Sequence, residues 1–313
     1  MVPLVARRVL ITVPLVVVVS FLVFLMIDLV PGDPAVKLAG ENASAERIEA
    51  IREQLHLADP LLTRYLTWLG GSVTGDLGRS FVTNQEVGGL LWTALGATAS
   101  LVLVTAVLMV VIGLVLGITA AVNHGRAADR IVVALCSVLV ATPSFWLALL
   151  LVVFFAVDYA IFPAIGFVPL TEDPARWLYH LVLPGLALSA RPSAELTLQL
   201  RAALTEVLQR DFVTAASARG LTRAQIVGKH ALKNAAVPAV TVLGFRLAEI
   251  IGGAVVIETV FSLPGLGPLM VQSVLGGDVP VILGIVVLTM LWVALFNLLT
   301  DLSYLYLNPK ART

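Results

Sequence analysis

Charge is scarce in this sequence. Asp, Glu, Lys and Arg make up 13% of its 313 residues, while 59% are hydrophobic. Soluble domains carry roughly 25% charged residues, so that class is excluded. Cysteine is nearly absent: Cys136 stands alone inside an apolar run, which rules out a disulfide framework and leaves the redox compartment unread. The four histidines are scattered and neither H-E-x-x-H nor G-x-S-x-G occurs. Catalytic and metal-ligating residues are therefore expected to be none. A phosphate-binding loop is missing too. At Gly228-Lys229 the upstream glycine of G-x4-G-K-S/T would fall at Arg223, and His230 stands where Ser or Thr is required.

What the sequence has instead is apolar length. Runs near the ~20 residues that cross a bilayer recur at 9–30, 97–122, 131–157, 178–206, 235–260 and 280–305. They predict an all-α integral membrane protein with about six transmembrane helices. The fourth run is interrupted by Arg191, Pro192 and Glu195. The first follows Arg7 and Arg8, but its apolar stretch is too long for a secretory signal and no small-x-small cleavage site follows, so it reads as an uncleaved span. The organisation predicted is an N-terminus and first span over 1–30, a helical insertion over 31–92, and a core of five spans over 93–313.

Basic residues fix the expected orientation. Arg7 and Arg8, Arg126 and Arg130, Arg210 to Lys233, and Lys310 with Arg312 occupy four regions that six spans place on one side. The 31–92 segment on the other side is acidic, with Asp33, Glu41, Glu46, Glu49, Glu53, Asp59, Asp76 and Glu86. Both termini are expected in the cytoplasm. Within 31–92, Ser44 precedes an amphipathic run with Ile48, Ile51 and Leu55. Asp59-Pro60 reads as an N-cap with a first-turn proline, opening a helix with Leu62, Tyr65, Leu66 and Leu69. This segment suits a cap over the outer mouth of the spans, or contact with a delivering protein.

The stretch DFVTAASARGLTRAQIVGKHALKNAAVP, residues 211–238, lies on the basic side inside a loop spanning 209–234. Asp211 reads as an N-cap, Gly220 as the left-handed residue that ends a short helix, and Thr222 with Gln225 as a capping box opening a second helix. Phe212, Ala215, Ala216 and Arg219 fall on one face, followed by Gly220 and Leu221. The small alanines admit close approach of another backbone. A helix lying on the lipid surface would account for the bases. Docking to a cytoplasmic partner accounts also for the compact, doubly capped turn.

Two further features stand inside or beside the spans. Arg191 and Glu195, and Arg246 and Glu249, are spaced to meet on one helix face, as ion pairs or as contacts along a translocation pathway. In FSLPGLGPLM, Pro264, Gly265, Gly267 and Pro268 argue against regular helix, while Phe261, Leu263, Leu266 and Leu269 keep it apolar. That predicts a re-entrant outer-gate element at Phe261 and Pro264–Gly267, or an exposed turn.

The 211–238 stretch resembles the coupling loop of ATP-binding-cassette importer permeases, whose motif reads E-A-A-x3-G, nine residues, then I-x-L-P. Ala215, Ala216, Gly220 and Leu232 match, whereas Thr214 replaces the acidic residue, His230 the isoleucine, and proline arrives late at Pro238. PGDP at 31–34, ADPLLTRYLTWL at 58–69, GDLGRSF at 75–81, HLVLPGLAL at 180–188, ETVFSLPGLGPL at 258–269 and NLLTDLSYLYLNP near the end resemble the peptide/nickel branch of these permeases. The likeness is nearest to the dipeptide and oligopeptide permease subunit of the B type. It implies a type I importer permease fold with a helical extracytoplasmic insertion, in a multi-pass subunit of a prokaryotic plasma membrane. It also implies ATPase coupling through Phe212, Ala215, Ala216, Arg219, Gly220 and Leu221. Implied partners are a second homologous permease, cytoplasmic ATPase subunits that bind ATP and Mg, an extracytoplasmic peptide-binding protein and the lipid bilayer, with no nucleic acid. The chain itself would bind no cofactor. Nickel complexes, glutathione and oligosaccharides are alternative cargoes within the branch. An ion-driven secondary transporter is the alternative from another class, and would show an internal repeat.

Overall fold

The structure is a computed structural model that describes residues 2–29, 34–40 and 43–307. Asp33 and Glu41, the PGD of the 31–34 motif, Lys310 and Arg312 lie outside the described residues, as does the Arg7 side chain. The described chain is mostly helical, and its one β feature is an antiparallel bridge between Arg79 and Glu86. In order it forms α1 (Val2–Asp28), α2 (Pro34–Ala39), α3 (Ala45–Gln54), α4 (Leu61–Val73), α5 (Val87–Val122), α6 (Ala127–Ala141) and α7 (Ser144–Leu151). There follow α8 (Pro174–Leu208), α9 (Asp211–Ala218), α10 (Arg223–Gln225), α11 (Leu232–Val260), α12 (Leu266–Gly276) and α13 (Val279–Leu307).

Among the described residues three stretches are long and apolar enough to cross a membrane: Val87–Val122, Pro238–Val260 and Val279–Ser303. The α6–α7 pair makes a fourth if its two arms count as one span, so the structure does not establish the expected six by length and composition. The pair is bent by 106°, which corrects the continuous run expected over 131–157. The break sits at Thr142-Pro143. Proline has no N–H to continue the ladder, and its ring forces the preceding residue out of the helical region. Thr142 accordingly has φ −84° and ψ 126°. In contrast, α8 runs unbroken through Pro184 and Pro192. Its start is well specified: Asp173 accepts from the N–H groups of Ala175 and Arg176, and Pro174 occupies the first turn, where no N–H is required.

The chain divides into two compact units, residues 1–98 with 264–294 and residues 99–263 with 295–313. In the first, α4 packs on α1 around Tyr65, Phe24 and Leu283. The Tyr65 hydroxyl donates to the Val17 carbonyl at 2.8 Å and lies 3.0 Å from the Ser20 hydroxyl. Its ring meets Phe21 and Phe24 edge-on, contacts worth about 0.5–1.5 kcal/mol each beyond area burial. Leu62 and Leu66 of α4 are exposed; Tyr65 turns inward with Leu61, Trp68 and Leu69 beside it. The Ser44 cap on α3 forms, accepting from Arg47 N–H. Pro60, not Asp59, occupies the cap position of α4 and makes no side-chain cap.

The second unit is built on close helix contacts. Gly113 and Gly117, one turn apart on α5, receive Leu196 and Leu200, one turn apart on α8. A Cβ on Gly113 would lie 2.6 Å from Leu196 Cδ2, and one on Gly117 3.0 Å from Leu200 Cδ2. Gly185 meets Val104 and Gly244 meets Thr300 in the same manner. Lipid supplies no hydrophobic drive between helices, so such small-residue grooves allow the dispersion contacts that hold them together.

Candidate functional site

α9 ends as the sequence predicts. Gly220 has φ +81°, its N–H donates to Ser217, and Leu221 N–H reaches back to the Ala216 carbonyl. This is a Schellman closure, which satisfies two carbonyls the helix would otherwise leave open. The start differs. Arg210 holds the cap position without a side-chain bond, and Asp211 is the first helical residue, so Asp211 acts through the positive helix end rather than as a cap. No residue of α9 is buried. Phe212, Ala215, Arg219 and Gly220 are exposed, and Ala216 and Leu221 half-buried. The chain thus presents this apolar, alanine-faced helix without covering it.

Thr222 and Gln225 form the predicted capping box, with Thr222 N–H on Gln225 Oε1 at 2.9 Å and Gln225 N–H on Thr222 Oγ1. The helix it opens widens into a π turn over Ile226–Ala231 before continuing as α11. Ile226, Val227 and Ala231 are buried there, which anchors the segment by its far end. From α10, the Arg223 guanidinium donates to the carbonyl of Val122, the last residue of α5, at 2.5 Å.

The two intrahelical charge pairs form, and they are joined. Arg191 Nε contacts Glu195 Oε1 at 3.1 Å, Arg246 Nη1 contacts Glu249 Oε2 at 2.5 Å, and Arg246 Nε pairs with Glu195 Oε2. One chain of alternating charge therefore links α8 to α11. Glu195 is its enclosed member, its side chain 16% exposed against 64% for Glu249.

The proline-glycine stretch is less irregular than expected. Pro264 and Gly265 break the chain, but Gly267 and Pro268 lie in the first turn of α12, capped by Gly265. Proline is tolerated there because the first N–H groups of a helix have no intrahelical acceptor. Phe261, Gly265, Leu266 and Gly267 are buried and Pro264 is exposed, so a plain exposed turn does not describe this stretch. Within the first unit, Leu266 N–H donates to the buried Thr98 hydroxyl at 2.9 Å.

A second charged cluster was not anticipated. Asp129, 3% exposed, receives Nε and Nη2 of Arg201 on its two oxygens and the Gly125 N–H at 2.9 Å, with His124 Nδ1 at 3.4 Å. The signal was present: Arg201 lies inside the fourth apolar run, where a cation needs a partner. Asp278 behaves likewise in the first unit, accepting from the Ser80 hydroxyl and Phe81 N–H.

Over all 313 residues the chain is 37% identical to a Brucella abortus (strain 2308) protein whose name assigns it provisionally as a peptide transport system permease, covering 99% of that protein. It is 36% identical over 308 residues to the glutathione transport system permease GsiC of Escherichia coli (strain K12), covering 98% of each. A chain of the MetNI methionine ABC transporter, solved in inward-facing conformations, shares the fold: TM-score 0.57 and 22% identity over 70% of this chain and 96% of that one. The family model described as binding-protein-dependent transport system inner membrane component matches residues 113–313, and the N-terminal model of the same group matches 1–105. The chain belongs to the family of binding-protein-dependent transport system inner membrane components.

Proposed function

We propose that this chain is a membrane-spanning permease subunit of an ATP-driven importer of di- and oligopeptides. It forms the translocation pathway with a second, homologous permease and is coupled to cytoplasmic ATPase subunits through 211–233. The observation that carries the reading is α9, a rigidly capped helix that its own chain leaves bare, in a chain matching peptide permeases from end to end. In this reading Phe212, Ala215, Ala216 and Arg219 face the ATPase, and Gly220 and Leu221 fix the angle of the knob. Both termini lie in the cytoplasm, the outer segment faces a peptide-binding protein, and ATP and Mg are bound by the partners. The chain lacks a phosphate-binding loop of its own, which supports that division of labour.

The Arg191–Glu195–Arg246–Glu249 chain offers both signs of charge to a zwitterionic cargo, and Phe261 with Pro264–Gly267 contributes to the outer gate. The glutathione permease relative favours a second cargo, since glutathione is itself a small charged peptide. The test is reconstitution of the chain with the subunits encoded beside it in proteoliposomes. ATP-dependent uptake of labelled dialanine, tetra-alanine or glutathione supports the proposal. Uptake that persists without ATP and collapses with the proton gradient refutes it.

A further inference from the structure

The α5–α6 turn is gripped from two sides. On one side Asp129, at the head of α6, holds the Gly125 N–H and is itself clamped by Arg201 of α8. On the other side Arg223 reaches across 101 positions of sequence to donate to Val122 O. The last carbonyls of a helix find no N–H donor within it and carry its negative end. A guanidinium placed there makes a charge-assisted bond in a favourable field. Arg223 is also the residue that follows the Thr222 cap, so it is tied rigidly to the Schellman turn at Gly220 and through it to α9. The path runs without a gap: α9, Gly220, the capping box, Arg223, Val122, the 123–126 turn, Asp129, Arg201.

We infer that Arg223 is a positioning residue that makes α9 and the α5–α6 turn move as one body, so that a force on α9 reaches α5 and α6 directly as well as α11 through the chain. The inference rests on the proposed docking of α9 to an ATPase. Without Arg223, α9 would still dock and still pull on α11, but α5 and α6 would lag behind.

The experiment places spin labels at two exposed positions, Arg126 in the turn and Ala218 on α9. The native Cys136 is buried and does not compete for label. Distances between the labels are measured by pulsed electron resonance in the assembled complex, with ATP-vanadate and without nucleotide. The expected result is an unchanged distance in the wild-type background and in Arg223→Lys, which keeps a donor, and a nucleotide-dependent distance in Arg223→Met. In parallel, the ratio of uptake to ATP hydrolysed should fall about tenfold or more in Arg223→Met only, as loss of one charge-assisted bond implies. Equal distances in both nucleotide states for Arg223→Met overturn the inference, as does a changing distance in the wild type or an Arg223→Met chain that no longer assembles. If no ATPase subunit co-purifies with the unmutated chain, the docking proposal falls first, and that failure is read separately.

Discussion

Replacing Gly220 isolates the conformation of the knob from its contacts. A Cβ added at this glycine meets nothing within 4 Å, so no clash accompanies the substitution. What remains is the backbone: at φ +81° an L-residue carries strain of about 1–2 kcal/mol, more if β-branched. α9 has eight residues and buries none of them, so no packing energy offsets that strain. The capped conformer should therefore lose about 5- to 30-fold in population relative to frayed ones for Gly220→Ala, and more for Gly220→Val. The bonds lost would be Gly220 N–H to Ser217 and Leu221 N–H to Ala216. The core lies elsewhere, so thermal stability of the purified complex should stay within a degree or two of wild type. ATPase retention during purification and uptake per ATP should both decline in the order Gly, Asn, Ala, Val, with Asn mild because it tolerates the left-handed region. Wild-type coupling in a Gly220→Val complex would refute the claim that this turn sets the geometry.

Three further outcomes follow from other contacts. Ser262 closes α11 at φ +52° with Leu263 N–H on Glu258 O, so Ser262→Gly should stabilise the solubilised protein by about 0.5–1 kcal/mol, read as a raised midpoint on heating. Glu195→Gln should impair assembly or uptake far more than Glu249→Gln, because Glu195 serves two guanidinium groups and is enclosed whereas Glu249 serves one and is exposed; equal effects would sink the network. Gly113→Ala puts a Cβ 2.6 Å from Leu196 Cδ2 and should lower yield of folded protein, and Leu196→Ala in the same chain should restore it.

Local signals were the legible part. The turn at Gly220, the Thr222–Gln225 box and the Ser44 cap each depend on a few adjacent residues, and each formed where spacing placed it. Proline was read less well because its effect depends on position within a helix. Pro143 bends α6 from α7, Pro268 sits harmlessly in the first turn of α12, and Pro184 and Pro192 are carried inside α8. A window of hydropathy sees four similar residues where the backbone sees three different situations. The buried face of α4 is not legible in its spacing, which offers Leu62 and Leu66 as readily as Tyr65 and Trp68. Only the partner helix decides, and α1 takes Tyr65.

Charge inside the apolar runs tells the same story at the level of function. An i,i+4 spacing announced Arg191 with Glu195, and an i,i+3 spacing announced Arg246 with Glu249, because each pair shares one helix face. Nothing in either spacing says that the two faces meet, and that meeting turns two ordinary pairs into one network across α8 and α11. Asp129 and Arg201 stand 72 residues apart and Arg223 and Val122 101 apart, beyond the reach of any periodicity. Yet the burial of a charge carries a demand that sequence does state: an Arg within a membrane run must find an acid, a carbonyl or water. Read as demands rather than as interruptions, Arg201 and Arg246 would have pointed to the tertiary contacts before any fold was known. Two of the charges within the fourth run, Glu195 and Arg201, are thus the residues that bind α8 to its neighbours, while Arg191 pairs within its own helix.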